Sequence, residues 1–346
     1  MTEPSPPSSP EFLEIFRRQA DADGVMSFAR FMELALYDPA VGYYTQRRSR
    51  IGRRPSADFT TAAALGPLFG ELVAAACATL LGPRVPGDHT FVEIGAEPAA
   101  AAGGAPEPAR SVLAGVAHPF AAATAIPLGQ ALTIPPRAVV FSNELFDAQP
   151  FNRVMGRGGA WRECAVALRH GQLEEILLPE LTSEVRAIRD RLPVPAPDGY
   201  HIDLPLAAAQ LAGRIADRRW TGLFVAFDYG KSWRELAADT PAGTARAYHR
   251  HQQSNDLLAR PGEQDLTGHV CWDWLAAELS ARGFAEPVLE SQEAFLVHHA
   301  ATALRAVTTA EAGQLSFWKL GVLQLLHPGN MGQKFQVLWA MRDRAG

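Results

Sequence analysis

Apolar positions along the chain alternate between two periods. Helical spacing predicts one helix over Phe12 to Ala20 and a second over Ser27 to Leu36. Ser27 caps the second ahead of Phe28, Phe31, Met32, Leu34 and Ala35, and Asp38-Pro39 stops it. Gly66-Pro67 opens a longer helix whose face is Leu68, Phe69, Leu72, Val73, Ala76 and Leu80, closed by Gly82-Pro83. Apolar runs at Phe91, at Ala138 to Phe141, at Gly222 to Phe227 and at Lys334 to Met341 predict buried strands, with a weaker one at Ser111 to Val116. Further helices are expected at Leu181 to Leu192, Leu206 to Asp217 and Trp272 to Arg282, the last ended by Gly283, and Pro193 to Pro197 reads as a stiff connector. Strands alternating with helices predict an α/β, doubly wound, Rossmann-like domain with a mostly parallel sheet and an N-terminal helical extension.

Three of these runs empty into acids. Thr90-Phe91-Val92 breaks at Glu93-Ile94-Gly95, the run ending at Phe141 breaks at Ser142-Asn143-Glu144-Leu145-Phe146-Asp147, and Gly222 to Phe227 breaks at Asp228-Tyr229-Gly230. In an open parallel sheet the ligand sits beyond the carboxyl ends of the strands, so acids there read as site residues. Each could instead cap the helix that follows, Asp147 in particular.

Composition narrows the class. The 346 residues are 47% hydrophobic, enough for a packed core. A net charge of −5, with no basic run beyond Arg47-Arg48 and Arg53-Arg54, argues against nucleic acid as the partner. Cys77, Cys164 and Cys271 are odd in number and widely spaced, which disfavours a disulfide framework and a structural zinc and suits a reducing, cytoplasmic setting. His249, His251, His298 and His299 form no ligand set along the chain, so no metal is expected. There is no apolar run long enough to span a membrane, and residues 1–10, rich in Pro and Ser, read as a disordered leader. A serine hydrolase lacks its Gly-x-Ser-x-Gly elbow, and a nicotinamide enzyme lacks its glycine fingerprint.

Read together, the motifs resemble the MidA-like family of S-adenosylmethionine-dependent methyltransferases, relatives of the mitochondrial arginine methyltransferase that assists complex I assembly. The likeness is carried by Phe31 to Pro39 with Gly42-Tyr43-Tyr44, by Asp58-Phe59-Thr60-Thr61 with Phe69-Gly70-Glu71, and by Asn143 to Pro150. It continues through Phe227 to Gly230, Pro261 to Val270, and Met331-Gly332 before Phe335 to Leu338. The resemblance implies a class I methyltransferase fold over residues 89–346, with an insertion around 231–270, behind a helical region over 11–88. It implies S-adenosyl-L-methionine as cofactor, held by Thr60, Thr61, Glu93, Gly95 and Asn143. It also implies a protein substrate or partner gripped through an arginine by Asp58, Glu144 and Asp147, with Tyr43, Tyr44, Asp228, Tyr229 and Asp265 lining the substrate side. His269 is the candidate proton acceptor, or else a hydrogen-bonded structural residue. The tyrosines could equally be packing, and a homodimer is admitted.

Two departures from the family pattern favour an alternative, a catalytically degenerate fold acting as a protein-binding or assembly factor. Ala96-Glu97-Pro98 replaces the remaining glycines of the cofactor loop, putting a charge and a ring where backbone should approach the ligand. The next strand, read at Ser111 to Val116, ends without a ribose-binding acid unless His118 substitutes. Only 50 positions separate Glu93 from Asn143, too few for two full crossovers of about 30 residues each, so at least one helix there should be short or missing.

Overall fold

The computed structural model describes residues 8–45, 65–96, 109–250, 252–310 and 316–344. Helices α1 (Pro10–Gln19) and α2 (Phe28–Tyr37) form where their apolar spacing predicts. Ser9 and Ser27 cap them, accepting from the N–H of Phe12 at 3.1 Å and of Arg30 at 3.3 Å. Pro10 occupies the first helical turn, so ordered structure begins inside the expected leader. The short strand β1 (Val25–Ser27) lies between the two helices, and α3 (Pro67–Leu80) follows. The phenylalanines Phe12, Phe16, Phe28 and Phe31 form the centre of a separate N-terminal core.

The central sheet has six strands: β2 (Thr90–Ile94), β3 (Ala122–Ile126), β4 (Arg137–Asn143), β9 (Thr221–Asp228), β15 (Val288–Ser291) and β16 (Gln336–Arg342). Their order is β15-β16-β9-β4-β2-β3. β3, β2, β4 and β9 run parallel, and β16 is antiparallel to β9 and to β15. Successive side chains point to opposite faces. Phe91, Val139, Phe141, Val225, Phe227 and Val337 therefore pack against α3 and the helices α8 (Gln292–His299), α9 (Ala301–Ala310) and α10 (Phe317–Leu326). Val92, Val140, Phe224, Ala226, Leu338 and Ala340 face α5 (Leu206–Ala216) and α7 (Trp272–Ser280) instead. The expected doubly wound α/β architecture is observed.

Between β2 and β4 the described residues hold one strand, β3, and no helix. The strand expected at Ser111 to Val116 is instead a pair of tight turns, with Ala114 N–H donating to Ser111 O and Val116 N–H to Leu113 O. α3 presses on that turn so closely that a Cβ at Gly70 would stand 2.3 Å from Val112 O. β3 itself is Ala-Ala-Thr-Ala-Ile, whose weak strand preference hides it from a periodicity reading.

Two insertions leave the sheet. Between β4 and β9, strands β5 (Asn152–Arg157), β6 (Ala160–Arg169), β7 (Gln172–Leu177) and β8 (His201–Leu204) make an antiparallel sheet that also recruits β1 against β6. The helix expected over Leu181 to Leu192 shortens to α4 (Ser183–Ala187) and a 3-10 turn, the break falling at Ile188 with φ −113° and ψ 7°. After β9 the chain runs through β10 (Gly230–Lys231), α6 (Trp233–Ala238), β11 (Arg246–His249), β12 (Gln252–Ser254), β13 (Asp265–Thr267) and β14 (Val270–Cys271). Pairing of β14 with β10 returns residues 265–270 to the end of β9. No helix of the described residues is long and apolar enough to cross a membrane.

Candidate active site

The parallel register sets Gly95, Asn143 and Asp228 at one edge of the sheet. Gly95 N–H donates to Ile126 O at 2.8 Å, Asn143 pairs with Phe227, and Glu144 N–H donates to Phe227 O at 2.9 Å. Glu144 then turns the chain with φ +51°, a left-handed conformation costly for a residue with a Cβ. That turn swings Leu145 to Asp147 across the end of β9.

Asp228 fixes the result. Its Oδ2 accepts from Phe146 N–H at 2.9 Å and Asp147 N–H at 3.3 Å, and its Oδ1 accepts from Tyr229 N–H at 2.9 Å. Burial pushes its pKa well up, and the neighbouring Asp147 adds to the rise. The acid expected to touch substrate is therefore fully enclosed, with both oxygens committed to backbone. It positions the loop rather than lining its surface.

Asp147 is buried as well, and its Oδ1 has no hydrogen-bond partner. Desolvation pushes its pKa up to about 6, against the opposing pull of the Tyr229 hydroxyl and of backbone N–H groups. Burial, then Asp147, likewise drives the Tyr229 phenol well up. Asn143 donates through Nδ2 to Glu144 Oε1 at 3.0 Å, while its Oδ1 is buried and unpartnered. Two acceptor atoms, on Asn143 and Asp147 at the end of β4 and in the loop after it, thus await donors that the described protein does not supply.

The returning insertion brings His269 to the same place. Gly268 N–H donates to Asp147 O at 3.0 Å, His269 N–H donates to Thr244 Oγ1 at 3.0 Å, and the ring centroids of His269 and Tyr229 lie 6.0 Å apart. Desolvation, followed by Lys231 and Arg246, lowers its pKa to about 4. The imidazole is neutral at neutral pH, and its buried Nδ1 has no partner.

The remaining expected residues divide. Glu93 is buried, its Oε2 accepting from Val112 N–H at 2.5 Å, and desolvation raises its pKa to about 7. It ties the 111–116 turn to the end of β2. Gly95 leaves that strand at φ +83°, and a Cβ there would meet Leu145 Cδ1 at 2.7 Å, so glycine lets the 144–147 loop pack down. Tyr44 donates to Asp265 Oδ1 at 2.9 Å and stacks on Tyr37, whose hydroxyl donates to Ala148 O at 2.8 Å. Tyr43 is wholly buried in the N-terminal core and cannot wall a channel; its ring packs edge-on to Tyr44. Asp58, Thr60 and Thr61 lie outside the described residues, as do Glu97 and Pro98.

His118 is at the opposite edge of the sheet. It precedes β3, stacks on Phe120 and sits near the start of β2, where Ala121 N–H donates to His89 O at 2.9 Å. It cannot replace an acid at the ligand edge. With the strand correctly placed, the residues after it are Pro127-Leu128-Gly129-Gln130, still without an acid. Tyr37, Thr244 and Arg246 escaped the sequence reading, although Tyr37 lies within a quoted motif.

Among the described residues two sets of donors stand close enough for a metal, Cys164 with Glu175 and His201, and Glu290 with His298 and His299. Neither includes a residue from the ends of β2, β4 or β9.

Comparison with known proteins agrees with this architecture. Residues 122–286, slightly under half of the chain, match a family model described as "Putative S-adenosyl-L-methionine-dependent methyltransferase". A COG1565 superfamily protein of Burkholderia thailandensis, described as a "likely methyl transferase" and bound to S-adenosyl-homocysteine, superposes with a TM-score of 0.81 at 24% identity, covering 99% of this chain and 96% of its own. A native structure of a COG1565 superfamily protein from the same organism gives 0.77 at 23% identity, with coverage of 99% and 96%. At such identity these likenesses establish the fold. No curated protein matches. The matched segment is thus similar to a family of S-adenosyl-L-methionine-dependent methyltransferases, and the chain as a whole shares the fold of the COG1565 superfamily structures.

Proposed function

We propose that the protein transfers a methyl group from S-adenosyl-L-methionine to a protein side chain, an arginine guanidinium by chemical fit. One observation carries this reading: Asp147 presents a buried carboxylate oxygen without a donor, beside Glu144 and beyond the carboxyl end of β4. A guanidinium is a planar fork of five N–H donors that keeps its charge in a protein, and it satisfies such an acceptor while neutralising a costly buried anion.

The cofactor's fit rests on two features. Asn143 Oδ1 is a buried acceptor lacking a donor, and Gly95 keeps the backbone at the end of β2 free of a side chain. Asn143 and Gly95 would hold the ligand, with Glu93 acting behind them by fixing the adjacent turn. Bound S-adenosyl-L-methionine supplies an electrophilic methyl on a sulfonium. The residues of this chain then align the acceptor: Asp147 and Glu144 orient the guanidinium, Tyr229 helps enclose it, and His269 offers Nδ1 to the proton released as nitrogen gains its methyl group.

A second reading, a non-catalytic methyltransferase fold serving as a binding or assembly factor, is favoured by Glu93 being tied to Val112 and by the missing acid after β3. Calorimetric titration with S-adenosyl-L-methionine separates the two. Micromolar affinity, weakened at least about tenfold in Asn143→Ala, supports the enzyme, and heat-silent titration at millimolar ligand supports the binding factor. Transfer of labelled methyl to protein, with methylarginine recovered after hydrolysis, tests the acceptor. Another methylated residue would overturn the arginine assignment.

A further inference from the structure

We propose that Glu290, His298 and His299 bind one divalent transition-metal ion, zinc by donor preference, at the outer edge of the sheet and apart from the methyl-transfer crevice. Along the chain the two histidines have no acid beside them. The fold supplies one, because β15 runs directly into α8 and the helix carries its last two residues back over Glu290.

The donor atoms already converge. His298 Nδ1 lies 2.7 Å from Glu290 Oε1 and His299 Nε2 lies 2.8 Å from Oε2, and one donor atom from each of the three residues falls within 4.8 Å of the others. A tetrahedral zinc with bonds of about 2.0–2.2 Å needs donors about 3.4 Å apart. Small side-chain rotations therefore open the trio around an ion without moving backbone. Two imidazoles and one carboxylate are a donor set that zinc accepts with a fourth position left to water. The His298 side chain, 61% exposed, leaves that position open to solvent.

The surroundings hold the ligands in place. Trp339 Nε1 donates to Glu290 Oε2 at 2.9 Å, an outer hydrogen bond of the kind that orients metal-binding carboxylates. The His299 ring is set between Phe295 and Trp339, with centroids 5.1 and 5.6 Å away. The competing set around Cys164 is less suited, since Arg153 lies beside Glu175 and brings a fixed positive charge to the same spot. An ion at Glu290 would clip the edge strand β15 to the end of α8, with β16 and β9 lying between it and β4.

The test uses the full chain stripped with chelator, then dialysed against zinc and titrated by calorimetry. One zinc per chain is expected, with a dissociation constant of about 1 µM or tighter. Glu290→Gln and His298→Ala should each weaken binding by about 30-fold or more, with Glu175→Gln unchanged. Cobalt substitution in the unaltered protein should give tetrahedral visible bands without a thiolate charge-transfer band. Affinity weaker than about 100 µM, a thiolate band, or loss in Glu175→Gln with retention in Glu290→Gln would overturn the site.

Discussion

Asp147 makes a prediction that joins stability to function. Its carboxyl is moved from an ordinary 3.8 to about 6, chiefly by burial, and a displacement of that size corresponds to about 3 kcal/mol. The unfolded chain releases this proton near pH 4, whereas the folded protein keeps it to about pH 6, so folding takes up protons between those values. Stability therefore falls as pH rises through that window, and the penalty is complete above it. Asparagine has nearly the same shape, can accept from the Tyr229 hydroxyl and cannot ionise. After allowance for weaker hydrogen bonds, Asp147→Asn should be more stable than the natural protein by about 1–3 kcal/mol at about pH 8, with the gap closing towards pH 4. Removing the Asp147 charge also relieves Asp228, whose own rise owes part of its size to that neighbour. Guanidinium denaturation at the two pH values, with equal m-values, measures the gap. A gap independent of pH, or a variant less stable at pH 8, would refute the reasoning. Methyl transfer should vanish in the same variant, since the proposed guanidinium anchor is gone.

Gly95→Ala should lose about 2–4 kcal/mol, combining a left-handed φ of +83° with a Cβ pressed to 2.7 Å from Leu145, and thermal unfolding will read it. A change under about 0.5 kcal/mol would remove the packing argument. Asp203→Ala should cost about 3–5 kcal/mol, because Asp203 holds the buried Arg153 at 2.6 Å as well as the N–H groups of Thr244 and Ala245. Thr244 in turn seats His269, so in the folded fraction of that variant kcat should fall more than the KM for S-adenosyl-L-methionine. Equal changes in both would disconnect Asp203 from the site.

Four of the six strands of the central sheet, β2, β4, β9 and β16, were readable because they are largely buried and appear as apolar runs, as at Val139-Val140-Phe141 and Phe224 to Phe227, whereas the half-exposed β15 was not. Caps and stops such as Ser27, Gly66-Pro67 and Gly283 marked helix ends through backbone chemistry that acts locally. β3 was missed since alanine carries little strand preference, and its place depends on pairing with β2, which no local pattern records. The sheet of β5 to β8 was missed for a related reason: its long strand β6 is completed by β1, more than a hundred residues earlier. At the site, the gathering of acids from two strand ends was legible, but the direction each one faces was not. Asp228 looks like Asp147 in sequence, yet it turns inward to three N–H groups. Glu93 is drawn away by Val112, a partner nineteen residues on.

The three-way tie at Asp228 makes the tips of two neighbouring strands one mechanical piece. A loop pinned to the adjoining strand through its own amides cannot swing without breaking two buried hydrogen bonds. Under the proposed function, an incoming side chain would meet a fixed anvil in this loop, with the returning segment tied to it through Gly268 N–H and Asp147 O.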